Sequence, residues 1–130
     1  MSLNYMKVAL EEALDSMTPS IDTAWENWPY TPITGVPYQK VNHLIAQPDN
    51  TTYGPAFIEQ GIFQVTLMYP LMSGTAEATA RAEMLRDKFI RGAAFTFGGS
   101  TVVIHLTPEI AVGRRDEDRW SVPVKIRWHS

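Results

Sequence analysis

The chain has 130 residues, of which 45% are hydrophobic and 11% aromatic, with a formal net charge of −3 and no cysteine. The composition excludes a disordered chain, and the length is that of one domain, spanning 1–130, able to bury about two thirds of its unfolded surface. The charge gives no reason to expect nucleic acid as a partner, and without cysteine no disulfide, thiolate zinc site or thiol nucleophile can form. A reducing cytoplasm suits such a chain. Residues Met1 to Leu14 lack the unbroken apolar core of a signal peptide, because Lys7, Glu11 and Glu12 interrupt them. No stretch approaches the ~20 apolar residues of a membrane span. The expectation is a soluble protein made in the cytoplasm, in which the sequon Asn50-Thr51-Thr52 has no role.

Leu3, Met6, Leu10, Ala13, Leu14 and Met17 recur at helical spacing, with Asn4, Lys7, Glu11 and Asp15 on the other side. This predicts a first helix that ends before Pro19, because the residue preceding a proline is pushed out of the helical region. Ile21 to Asn27 suits a short strand. From Trp28 to Pro37, three prolines exclude a helix and any central strand. Two readings of that segment stand side by side. It is a rigid extended connection whose aromatics cap the core, or Trp28 and Tyr30 belong to an interface, where rigid aromatics give contact area at low entropic cost.

Tyr38 to Ala46 reads as the next strand, and Gln47 to Pro55 as a loop with Pro, Asp, Asn and Gly in turn positions. In the run Gln60 to Pro70, Phe63, Val65, Leu67 and Tyr69 alternate with Ile62, Gln64, Thr66 and Met68, which predicts a strand with one strongly apolar face. Pro70 and Ser73-Gly74 stop it, and Ser73 or Thr75 offers a capping oxygen to a helix from about Thr75 to Arg91. Ala78, Ala82, Leu85 and Phe89 form the apolar face of that helix, and Gly92 is placed to end it with a positive φ. Glu77–Arg81 and Asp87–Arg91 are i, i+4 pairs expected on its solvated side, each contributing only ~0.2–0.5 kcal/mol.

Ala94 to Phe97, Gly98-Gly99 and Thr101 to Leu106 predict a β-hairpin with glycines at the turn. Trp120, Val122, Val124, Ile126 and Trp128 then alternate with Ser121, Pro123, Lys125, Arg127 and His129. Because Pro123 has no N–H, this strand is expected at a sheet edge, or with its proline at an unpaired position. The order helix, strands, helix, strands predicts an α+β domain, with two helices packed on one face of a mostly antiparallel sheet.

Candidate chemistry is sparse. His43, His105 and His129 are at no metal-ligand spacing, and His105 is out of step with Val102 and Ile104. No serine lies in a Gly-x-Ser-x-Gly turn, and Gly98-Gly99 is neither part of a phosphate-loop pattern nor followed by a helix. The expectation is a protein that is not an enzyme and needs no cofactor or metal. One charge cluster stands out: Arg114-Arg115-Asp116-Glu117-Asp118-Arg119. It is a solvated hairpin tip of nearly cancelling charge, or a projection that pairs with opposite charges on a neighbouring subunit, since charge pattern fixes partner and register.

Asn27-Trp28-Pro29-Tyr30-Thr31-Pro32 with Val36-Pro37-Tyr38, then Tyr53-Gly54, Gln60-Gly61-Ile62-Phe63-Gln64-Val65, the break from Pro70 to Gly74, the helix to Phe89 and Gly92 and the closing Trp120-Ser121-Val122-Pro123-Val124 together resemble a family of small proteins from long-tailed phages and prophages. This is the tail terminator family, also called minor tail or tail completion proteins. The resemblance covers nearly the whole chain in order, through structural runs and not a catalytic signature. It implies a structural virion protein, made in the host cytoplasm, that forms a ring, typically of six subunits. The ring caps the end of the tail tube, stops its polymerisation and prepares head–tail joining. Its implied partners are further copies of itself, the tail tube protein and head–tail connector proteins, with no nucleic-acid specificity and no membrane. On that basis Arg114, Arg115, Asp116, Glu117, Asp118 and Arg119 are expected to face the tube or a neighbour. Charge reversal at the three arginines is then expected to impair assembly and leave the monomer folded. The alternatives are another connector protein of the neck and, from a different class, a small-ligand-binding α+β domain or an enzyme with an unfamiliar site, with the segment Trp28 to Tyr38 as a pocket wall.

Overall fold

A computed structural model describes residues 3–17, 21–50, 54–55, 57–71 and 74–130. The chain runs α1 (Leu3–Asp15), β1 (Asp22–Ala24), β2 (Tyr38–Ile45), β3 (Gln60–Pro70), α2 (Ala76–Lys88), β4 (Ala94–Phe97), β5 (Ser100–Ile104), β6 (Glu109–Ile110), β7 (Arg114–Asp116) and β8 (Arg119–His129). Pro19 and Ser73, expected to end one helix and to cap the other, lie outside the described residues. So do Tyr53 and part of the loop from Gln47 to Pro55.

The frame is the antiparallel pair of β3 and β8, matched from Gln60↔His129 to Pro70↔Arg119. Period two puts Phe63, Val65 and Leu67 on one face beside Val124, Ile126 and Trp128, all fully buried. The opposite face carries Gln64, Lys125 and Arg127, which are only partly covered. β2 extends the sheet antiparallel to β3, and β1 lies parallel to β2. On the far side of β8 lie β5, then β6, then β7, while β4 pairs with β5. The result is α+β, with an eight-stranded, strongly curled sheet that is antiparallel except at β1.

Of the two places offered for Pro123, the structure takes the second, because β8 is central. The Ala111 N–H donates to the Pro123 carbonyl, and a strand residue directs its N and C=O to the same side. The missing N–H therefore faces residues 111–113, between β6 and β7, where no ladder runs. An interrupted neighbour is what lets a proline sit in the middle of a sheet.

Both helices contribute to one core. α1 buries Met6, Ala9, Leu10, Ala13 and Leu14, and α2 buries Ala78, Ala82 and Leu85. Phe89 follows α2 and is fully buried, with its ring centroid 5.9 Å from that of Phe63 and 5.2 Å from that of Phe95. Burying a side chain of this size contributes roughly 1.5–3 kcal/mol.

Four expectations for the second helix change. It ends at Lys88, and Gly92, at φ +92°, serves the turn into β4, where its N–H donates to the Ile104 carbonyl at 2.7 Å. Thr75 is the N-cap residue but makes no side-chain capping bond. Arg81 is buried, at 4% exposed, because it is three residues from Ala78 and four from Leu85 and so lies on the apolar stripe. It is close enough to Tyr69 for the guanidinium to offset part of the rise that burial imposes on the phenol. Arg91 lies beyond the helix end, so its spacing from Asp87 is not a helical i, i+4 spacing.

Candidate functional site

Two segments far apart in sequence meet at one end of the sheet. From Trp25 to Pro37 the chain has no helix or strand, as its prolines require. Its shape is set by local turns: the Trp28 N–H donates to the Trp25 carbonyl, and the Val36 N–H to Ile33, with Gly35 at φ +80° between them. That φ is the left-handed conformation such a turn needs at its third position. The second segment is the β7–β8 hairpin, closed by the Asp116↔Arg119 pair, with Glu117 at φ +53° in its turn.

Arg119 joins the two. As the first residue of β8, it shares the side of the sheet opposite the helices with Tyr38, the first residue of β2. It is only 4% exposed, and its guanidinium carbon lies 5.1 Å from the centroid of the Tyr38 ring. Nη2 donates to the Ile33 carbonyl at 2.6 Å, and Nη1 donates to the Val36 carbonyl. A flat, forked donor can hold two carbonyls and stack on a ring at once, which an ammonium cannot. Tyr30 completes the clamp. Its ring lies 5.0 Å from that of Tyr38, and its hydroxyl donates to Asp22 Oδ2 at 3.3 Å. The loop therefore folds over the sheet face away from the helices, which is why Met68 is buried although it lies on that face.

The charges follow this geometry. Burial raises the Tyr38 phenol above its usual value, Arg119 pulls it back, and Asp116, Asp118 and Glu117 push it up again. Burial likewise raises Tyr30, reinforced by the charge of Asp22 and the hydrogen bond to it. Arg114, Arg115, Glu117 and Asp118 are exposed and Asp116 is partly covered. With Arg119 withdrawn, the solvent-facing tip carries two positive and three negative groups. Arg115 also ties the turn, donating from Nε to the Glu117 carbonyl at 3.2 Å. Beside the tip, an open cleft of about 220 Å³ lies between Pro32, Lys40 and the acidic turn.

The residues proposed from sequence thus divide. Trp28, 74% exposed, stands out from the surface with Ile33 at 56%, while Tyr30 is half-buried in the clamp. Arg114, Arg115, Asp116, Glu117 and Asp118 form one continuous tip next to them. Arg119 turns inward, so its reversal acts on the fold as well as on the surface. Tyr38 and the carbonyls of Ile33 and Val36 had escaped sequence reasoning, since the bonds to Arg119 cross 83 and 86 residues. The histidines also rearrange. His105 and His129 bring their ring centroids to 5.4 Å on the polar face, whereas His43 lies under α1 with Nε2 3.4 Å from Glu11. Among the described residues, no group of three or more His, Cys, Asp or Glu could hold a metal ion.

A family model described as phage tail terminator protein matches residues 6–128. A solved structure, of a protein whose name carries no functional description, superposes with a TM-score of 0.81 at 22% identity. The match covers 99% of this chain and 95% of that one, and it shows the shared fold. No curated protein matches the chain.

Proposed function

The chain belongs to the phage tail terminator protein family, and from that premise we propose that it caps the tail tube as a ring. The family places it among structural components of the phage tail. The finer reading is that copies of the chain close head to tail, six being the number the resemblance implies, on the finished end of the tube. The ring stops addition of tube protein and presents a surface to the head–tail connector. The protein is made in the host cytoplasm and incorporated into the virion tail.

The observation that carries this reading is the family match over residues 6–128, because it spans both the core and the clamped surface. The geometry agrees in kind. The Arg119 clamp ties the charged tip to the loop that carries the exposed Trp28, through the carbonyls of Ile33 and Val36. Such preorganisation lowers the entropic cost of association. Both clefts at this end are open: the one beside the tip is lined mostly by charged groups, and the one of about 280 Å³ against the loop mixes Trp25, Trp28, Tyr30 and Tyr38 with Glu26 and Lys40, in contrast to the enclosed pocket that a small-ligand binder needs.

Light scattering over a dilution series, with negative-stain images of the same sample, tests the reading. Rings with a central hole, formed by the chain alone or when purified tail tubes are added, are the expected result. A monomer that tubes fail to recruit would overturn it.

A further inference from the structure

The two end strands of the sheet differ in how they are guarded. Natural edge strands are protected from pairing with other chains by charge, proline, bulges or a covering element. From Gly92 to Ile104 there is no charged residue and no proline, and this run contains the β4 edge. The direction of its free groups follows from the hairpin. The two-residue Gly98-Gly99 turn closes at the Phe97↔Ser100 pair, and the Ile104 N–H donates to the Ala93 carbonyl. Backbone groups alternate in direction along a strand, so Phe95 and Phe97 turn theirs toward β5. Ala94 and Thr96 direct their N–H and C=O groups outward. Both residues are exposed, and no described residue meets those outward groups.

We propose that the β4 edge of one copy pairs with the β1 edge of the next, so that the sheet continues from subunit to subunit. This rests on the ring reading above and specifies its contact. β1 is the other end of the same sheet, so the contact joins two different surfaces, the head-to-tail arrangement from which a ring closes. Among the described residues, no backbone group of Asp22, Thr23 or Ala24 bonds to a segment other than β2, so the outer side of β1 is open as well. Asp22 also places a charge on β1, whereas β4 has none, so pairing of β1 with a second β1 would oppose like charges and pairing with β4 does not.

Thr96→Pro tests this directly, because it deletes an outward N–H and leaves the backbone ladder to β5 intact; the hydroxyl bond between Thr96 and Thr101, at 2.9 Å, is lost in this variant and in the valine control alike. Thr96→Val keeps the N–H and removes only the hydroxyl. With wild-type chain forming rings alone or on tail tubes, Thr96→Pro is expected to move the assembly midpoint to at least tenfold higher concentration with little change in thermal unfolding, and Thr96→Val to leave it in place. Hydrogen exchange on the wild-type protein supplies a second readout that requires no variant to fold. On assembly, the amides of Ala94, Thr96 and residues 22–24 gain protection. Rings that form equally well from folded Thr96→Pro, or protection that bypasses either edge, overturn the edge pairing and leave the ring standing. Failure of the wild-type chain to assemble in any condition overturns both.

Discussion

Two hairpins meet at β8, one pairing with it and one ending in it, and they are built on opposite principles. The β4–β5 hairpin is uncharged, turns on two glycines and places two phenylalanines toward the core. The tip of the β7–β8 hairpin, from Arg114 to Arg119, is wholly charged, and it is held by one buried arginine that reaches across the sheet to a proline-rich loop. The first hairpin fixes its shape by covalent geometry and packing, so its function is free to reside in its backbone edge. The second fixes its shape through a polar clamp, so its exposed side chains are free to carry function. The contrast separates residues that hold a surface from residues that form one, although both kinds lie within six positions of each other between Arg114 and Arg119.

The sharpest way to break the contrast is Arg119→Ala. It leaves the carbonyls of Ile33 and Val36 without their charged donor and uncovers Tyr38. Hydrogen bonds to charged groups contribute ~1.5–3 kcal/mol each, so the loss is expected at about 3 kcal/mol or more. Urea denaturation measures it, and hydrogen exchange at the Val36 amide, which donates to the Ile33 carbonyl, should report loosening of the loop. Arg119→Lys should recover only part, because an ammonium lacks the forked geometry. A variant within about 0.5 kcal/mol of wild type would show that the clamp holds nothing.

The corresponding break in the other hairpin is Gly98→Ala. Gly98 has φ +57°, and a Cβ there would come within 2.7 Å of the Tyr5 ring. Left-handed backbone costs a residue with a Cβ roughly 1–2 kcal/mol, and displacing Tyr5 from its edge contact with Phe97 adds to that. Gly99→Ala, with open space at the same turn, serves as the control: it is expected to cost the backbone term alone. Thermal unfolding of the two variants, compared side by side, reads the difference.

These examples mark where sequence is informative. Alternation in β3 and β8, the stripe from Ala78 to Phe89 and the Gly98-Gly99 turn are short-range patterns, and each element they imply forms. Arg81 and Arg119 are the places where residue type misleads. An arginine reads as solvated until its position on the stripe, or a carbonyl more than eighty residues away, places it inside. For Arg81 the signal was present, since spacings of three and four residues put it on the buried face. For Arg119 no local signal exists, because its partners lie in a loop without periodicity. Pro123 is intermediate, as the proline announced an unpaired backbone position but not which neighbour would be interrupted.

A smaller effect separates the two hairpins by pH. His105, just beyond β5, has its pKa lowered by burial first, and then by the charges of His129, Arg127 and Arg91. The unfolded chain therefore binds a proton there more readily than the folded one. Stability from this site is present above the usual histidine value of 6.5 and falls as pH drops below it toward the lowered folded value. His43 contributes with the same sign, its burial outweighing the opposing pull of Glu11. Urea midpoints between pH 5 and 8 should fall toward the acid side, with a shallower slope in His105→Gln. An unchanged slope in that variant would assign the acid sensitivity to other groups.

The smallest expected effect on stability is the most informative about function. Arg114 and Arg115 are exposed, and only the Arg115 backbone-directed bond to Glu117 engages either guanidinium among the described residues. Surface substitutions without buried partners stay within about ±0.5 kcal/mol, so the double variant Arg114→Glu/Arg115→Glu should unfold near the wild-type midpoint. It changes the tip from two positive and three negative groups to five negative ones. If the tip meets the tube or a neighbouring copy, that reversal opposes like charges across the contact and lowers assembly, most strongly at low salt, where screening is weakest. Tail completion by the variant, counted in electron micrographs against the wild type, is the measurement. Normal tails from a folded double variant would remove the tip from the contact surface and leave the strand edges as the sites to test.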